Sequence, residues 1–196
     1  MKLNVVEVFD SMQGEGASMG TYCTFIRFPG CNFSCPFCDT SFNKADYILD
    51  TDEQVMQKHV VITGGEPTIH PDFEKLVKVL QRLGHIIHVE TNGTNIGLIP
   101  SGCWITCSPK NMKWKNVPDG KVDWWNHLSR INELKLVVDE TFDPTTWVNK
   151  TPRLIWLQPC DGPYFAESRN RILKIIKEYP ETFRAGIQLH KWYEVQ

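Results

Sequence analysis

The stretch VVITGGEPTIHPDFEKLVKVLQRLGHIIHVETNG, Val60–Gly93, reads as strand, helix and strand in one run. Val60–Pro67 is β-branched and closes on the pair Gly64-Gly65, a strand followed by a turn. Pro71–Gly84 predicts an amphipathic helix, with Pro71 near its start, Phe73, Leu76, Val77, Leu80 and Leu83 on one face, and Gly84 as its stop. His85–Gly93 returns to a strand pattern. The same alternation extends outward. Thr21–Phe28 is a buried-looking strand running into Pro29-Gly30, and Thr51–His59 has room for a short helix only, with Thr51 or Asp52 as its cap. Cys103–Lys110, Glu133–Glu140 and Arg153–Pro159 read as strands. Ala166–Tyr179 reads as a helix with Ile172, Leu173, Ile175 and Ile176 as its apolar residues, and Phe183–Trp192 as a last strand. Near-continuous apolar strands separated by helices predict an α/β fold with a mainly parallel, covered sheet. About six parallel strands with few helices are too little for a complete barrel, so a partial, open barrel is expected. Its polar tips, TGGEP, ETNGT, SPK and LQP, should converge, because parallel sheets collect their chemistry at the C-terminal ends of strands.

Without repeats or linker-like runs, the 196 residues are expected to form one domain, 1–196. A hydrophobic content of 41% and a charged content of 22% suit an ordinary globular protein. The net charge of −2 gives no reason to expect direct binding of nucleic acid. No apolar run reaches the roughly 20 residues that cross a bilayer, and the N-terminus has no secretory pattern. A cytoplasmic protein is therefore expected. There, seven cysteines read as metal ligands, catalytic thiols or small core residues and not as disulfides.

Three of the seven lie within eight residues, as C-x3-C-x2-C: Cys31, Cys35 and Cys38 in GCNFSCPFCDT. A loop this polar and glycine-flanked is a poor core. Zinc would need a fourth ligand from elsewhere, such as Cys23 or a histidine, and no second C-x2-C or H-x3-H accompanies the loop. An iron–sulfur cubane held by three thiolates leaves one iron open, which accounts for the odd number directly. Cys23, Cys103, Cys107 and Cys160 lie in or beside apolar strands and read as core.

With Phe37 immediately before Cys38, the loop resembles the signature of the radical S-adenosylmethionine (SAM) enzymes, and TGGEP resembles their glycine-rich strand tip. The resemblance implies a 4Fe-4S cluster whose open iron is chelated by SAM, and reductive cleavage of SAM to a 5′-deoxyadenosyl radical. It narrows over nearly the whole chain to the 7-carboxy-7-deazaguanine synthase family of the queuosine (deazapurine) pathway. The segments that carry it are MQGEG at Met12–Gly16, FIRFPGC through Arg27, CDT at Cys38–Thr40, VITGGEP, ETNGT, SPK at Ser108–Lys110, LQP at Leu157–Pro159 and the terminal QLHKWYEVQ.

That family implies an abridged radical SAM barrel, a homodimer, and a reducing partner such as flavodoxin. The implied reaction is contraction of 6-carboxy-5,6,7,8-tetrahydropterin to 7-carboxy-7-deazaguanine with loss of ammonia, SAM acting catalytically with Mg2+ as an aid. By the same resemblance SAM would meet Phe37, Cys38, Asp39, Gly65, Glu66, Ser108, Pro109, Lys110, Gln158, Pro159, Cys160 and Asp161, and Mg2+ would meet Thr40. The pterin would meet Met12, Gln13, Gly14, Glu15, Arg27, Thr63, Glu90 and His190, and the chain's last residue, Gln196. On its own chemistry Arg27 suits a carboxylate, and in an apolar strand it needs an ionic partner. No residue is assigned direct catalysis, since the radical forms on the cofactor. Two rivals remain at this level: an activase that makes a glycyl radical on a partner protein, and a metal-binding module without activity. Trp114–Trp125, WKNVPDGKVDWW, suits a dimer face or a lid equally, and the interval Asp39–Lys58 leaves little room for a first helix.

Overall fold

The computed structural model describes residues 1–110, 124–139, 142–148 and 154–196. Most of the tryptophan-rich stretch 114–125 lies outside them, as do Glu140 and Arg153 at the ends of two expected strands. Ten strands are present among the described residues: β1 (Lys2–Val5), β2 (Glu7–Met12), β3 (Tyr22–Phe28), β4 (Tyr47–Asp50), β5 (His59–Gly64), β6 (Ile86–Thr91), β7 (Trp104–Cys107), β8 (Glu133–Val138), β9 (Leu154–Pro159) and β10 (Phe183–Ala185). Eight form one sheet in the order β10-β9-β8-β7-β6-β5-β3-β2. From β3 through β10 every pairing is parallel, and β2 alone runs antiparallel, against β3. The sheet is open, as expected for a partial barrel, with β2 and β10 as its edges.

The helices cover it. The α2 helix (Phe73–Arg82) buries Phe73, Leu76, Val77 and Leu80, the predicted face, each contributing on the order of 1.5–3 kcal/mol. Leu83, placed on that face by its spacing, is the C-cap residue and is exposed. The α3 helix (Phe165–Glu178) buries Ile172 and Ile175 and leaves Leu173 in solvent. The short α1 helix (Thr51–Gln54) is capped by neither expected residue. Asp50 precedes it and accepts the Asp52 N–H.

One strand assignment is corrected. Phe183–Trp192 is not one strand. The ladder with β9 stops at Ala185, with the Gly186 N–H still donating to the Leu157 carbonyl, and the chain then turns into α4 (Leu189–Trp192). An edge strand paired on one side only has little to extend it. The space left by the missing first helix is taken by β1 and β4, an antiparallel pair whose Leu3, Val5 and Leu49 join the core under β3.

Candidate active site

The strand tips converge on one cavity of about 810 Å³. Cys31, Cys35 and Cys38 line its wall, as do Phe37, Asp39, Thr40, Gly65, Ser108, Lys110, Gln158, Pro159 and Asp161. The expected substrate residues line it too: Met12, Gln13, Gly14, Glu15, Arg27, Thr63, Glu90, His190 and Gln196. Glu66, Pro109 and Cys160 do not.

Glu66 has a different place. Its carboxylate is fully buried and accepts from the Thr68 N–H (3.1 Å) and hydroxyl (2.6 Å), the Thr91 hydroxyl (2.8 Å) and the Asn92 N–H (2.6 Å). It ties the tip of β5 to the tip of β6. Asn92 in turn donates to Asn32 (2.8 Å), and Asn32 to Thr94 (2.7 Å), so the cysteine loop is fastened to the same tip. Gly65 sits hard against that loop. A Cβ there would stand 2.1 Å from the Gly30 carbonyl oxygen and 2.6 Å from the Cys31 Cβ, so only glycine allows the approach.

None of the seven cysteines is in a disulfide, and no group of three or more Cys, His, Asp or Glu among the described residues is arranged to hold a metal ion. The cysteine loop nevertheless offers three thiols to one cavity, which suits an assembly larger than a single ion. Burial pushes the Cys31 and Cys35 thiols above their ordinary range, and at Cys35 the Lys110 ammonium opposes it. Lys110 donates to the Ser108 hydroxyl (2.7 Å) and lies 5.9 Å over the Phe37 ring, a cation placed to meet an anion in the cavity.

The partner that Arg27 requires is Glu7 on β2, whose Oε1 accepts from Nε at 2.6 Å; the guanidinium also lies 6.0 Å from the Phe9 ring. Glu90 at the tip of β6 accepts from Gln13 Nε2 (3.2 Å) and from Lys135 Nζ (2.8 Å), and Lys135 also donates to Glu15 (2.5 Å). Neither Glu7 nor Lys135 stood out in the sequence, since each sits in an ordinary strand pattern and its partner is distant in the chain.

The segment after β2 carries Gln13 and Glu15 across the inner face of the sheet and is anchored beyond them. The Ala17 N–H donates to Glu133 (2.8 Å), and the Ser18 hydroxyl meets His88 (3.4 Å). The chain's last segment closes over it. Leu189 N–H donates to the Gly14 carbonyl (2.8 Å), and His190 packs so tightly on Gly14 that an added Cβ would lie 2.0 Å from its ring. Lys191 bridges Asp39 (3.2 Å) and Asp161 (2.6 Å), and Gln196 accepts from Ser11 (2.6 Å) and donates to Glu7 (2.7 Å).

Residues 25–100 match the family described as the radical SAM superfamily. A 7-carboxy-7-deazaguanine synthase of Aquifex aeolicus is 33% identical over 97% of this chain and 93% of its own. That of Bacteroides thetaiotaomicron is 33% identical over the full length of both. The chain belongs to the 7-carboxy-7-deazaguanine synthase family. The crystal structure of QueE from Escherichia coli, 24% identical, superposes with a TM-score of 0.71 over 96% of this chain and 95% of the other, which shows the same fold. The radical SAM family implies a 4Fe-4S cluster and SAM, and in this chain Cys31, Cys35 and Cys38 are three thiols on one wall of the cavity. Among the described residues no helix is long and apolar enough to cross a membrane.

Proposed function

We propose that the chain, as one radical SAM domain, converts 6-carboxy-5,6,7,8-tetrahydropterin to 7-carboxy-7-deazaguanine and ammonia. The observation that carries this reading is a single cavity in which three cysteines meet an arginine on one wall and a carboxylate cluster on another. When bound, the cluster and SAM supply a carbon-centred radical able to take a hydrogen atom from the substrate.

The protein's own part is binding, orientation and exclusion of water. Cys31, Cys35 and Cys38 hold the cluster, and Phe37, Gly65, Lys110 and Gln158 face SAM. Arg27, its Nε engaged by Glu7, has its remaining N–H groups for the pterin carboxylate. Glu90 and Gln13 take the amino-pyrimidine edge at the other end. Thr40 contributes one oxygen to Mg2+. That ion wants about six oxygens, so substrate and water complete the shell. We further propose a cytoplasmic homodimer served by a small reducing protein of the flavodoxin kind.

The test is anaerobic incubation of the reconstituted protein with SAM, a reductant and the carboxytetrahydropterin. The expected product lacks the mass of ammonia, and SAM is returned intact. Cleavage of SAM with an unchanged pterin would overturn the reading.

A further inference from the structure

Lys135 stands on β8 with its ammonium between two carboxylates from distant parts of the chain, Glu15 at 2.5 Å and Glu90 at 2.8 Å. Each of the three side chains is largely buried, with 15–17% of its surface exposed, and all three line the cavity. Two carboxylates against one ammonium leave one net negative charge there. Glu90 Oε1 is engaged only by the long bond from Gln13 among the described contacts, so the oxygen keeps acceptor capacity. Arg27 lies two strands away in the same sheet, across β5, at a separation of about 10 Å. The cavity therefore holds a guanidinium, paired with Glu7, on its β3 wall and a net negative charge on the wall at β6 and β8.

Lys135 is what lets both carboxylates of the second wall stay ionised. Two carboxylates this close, without a cation between them, share a proton. Burial already pushes Glu90 upward, with Lys135 opposing it and Glu15 and Glu133 adding to it. Lys135 itself is held firmly protonated against its burial by Glu15 and Glu90.

We propose that Lys135 is the positioning residue that orients the substrate: it keeps Glu90 ionised as the acceptor for the N–H edge of the pyrimidine ring, so that the substrate's carboxylate falls to Arg27. This rests on the pterin assignment made above. A ligand whose facing edge presents acceptors in place of N–H donors would be rejected at Glu90.

The experiment measures steady-state kinetics for the carboxytetrahydropterin with wild type, Lys135→Met and Lys135→Arg. Lys135→Met should raise KM at least about tenfold, because the buried carboxylates lose their counter-ion. Iron content and SAM binding should stay at the wild-type level. The raised KM should fall again as pH rises, since the shared proton then leaves, a trend that a purely structural role would not produce. Lys135→Arg keeps a cation between the two carboxylates and should hold KM within about threefold of wild type. An analogue without the exocyclic amino group should bind weakly to wild type and be little affected by Lys135→Met. If Lys135→Met does not fold, Lys135→Gln takes its place: a KM raised about tenfold beside a near-normal Lys135→Arg supports the proposal, and equal KM values for the two overturn it. A Lys135→Met protein with wild-type KM and pH profile also overturns it. Wild-type protein that leaves the pterin unchanged overturns the functional reading, and this proposal with it.

Discussion

Glu133 holds the substrate-side loop in place, and replacing it by glutamine tests that directly. The carboxylate is 2% exposed and accepts four hydrogen bonds. Oε1 receives Trp104 Nε1 (3.3 Å) and the Thr106 hydroxyl (2.8 Å), while Oε2 receives the Ala17 N–H (2.8 Å) and Trp156 Nε1 (2.7 Å). Glutamine keeps the shape and has one acceptor oxygen. The amide NH2 is best seated at the Oε1 position, where the Thr106 hydroxyl can rotate to accept; the indole N–H of Trp104 then faces a donor. That unmade bond costs about 1–3 kcal/mol, and the two bonds at the other oxygen lose their charge assistance, together about 2–4 kcal/mol. With a urea dependence of about 2 kcal/mol per molar, the unfolding midpoint of the reconstituted protein should fall by about 1–2 M. The control is Glu74→Gln, which removes an exposed pair with Lys78 and should shift stability by less than about 0.5 kcal/mol. The loop can be tested from its own side as well. Gly16 has φ +71°, and a Cβ there would lie 2.4 Å from Glu133 Oε1, so Gly16→Ala should also weaken pterin binding by displacing Gln13 and Glu15. A Glu133→Gln midpoint as close to wild type as that of Glu74→Gln would refute the four-donor account of the anchor.

Two further outcomes follow from close contacts elsewhere. Gly65→Ala should push the cysteine loop away from the tip of β5, at a cost of about 1–3 kcal/mol, and lower the iron bound per chain on reconstitution; full iron loading would show that the loop tolerates the methyl. Burial, with His59 3.0 Å away adding and Glu133 opposing, lowers the His88 pKa to about 4. Protonation is then harder in the fold than in the unfolded chain, so His88 supports stability above about pH 6.5, and the support is lost as pH falls toward about 4. His88→Asn should flatten the decline in unfolding midpoint between about pH 7 and about pH 5. A decline as steep as that of wild type would remove His88 as its cause.

Much of the scaffold was legible because it depends on near neighbours. Strand and helix follow from periods of two and 3.6 residues, which is why Val60–Gly93 predicts β5, α2 and β6 in order. The cysteine spacing and the GGEP tip are equally local, and both come to the cavity wall. The misread ends are places where tertiary pairing decides. Ala185 is the last residue with a strand partner in β9, and β1 and β4 are strands because each supplies the other's hydrogen bonds.

By itself the sequence determined which chemistry was on offer: three thiols on one loop, polar tips on parallel strands, an arginine and a glutamate in apolar company. Only the tertiary structure decided who neutralises whom. Glu7 meets Arg27 across 20 residues of chain, Lys135 meets Glu90 across 45 and Glu15 across 120, and Glu133 reaches Ala17 across 116. A buried charge must find a partner, but its own neighbourhood in the chain does not say which one, because that choice belongs to the sheet order and register that bring the strands side by side.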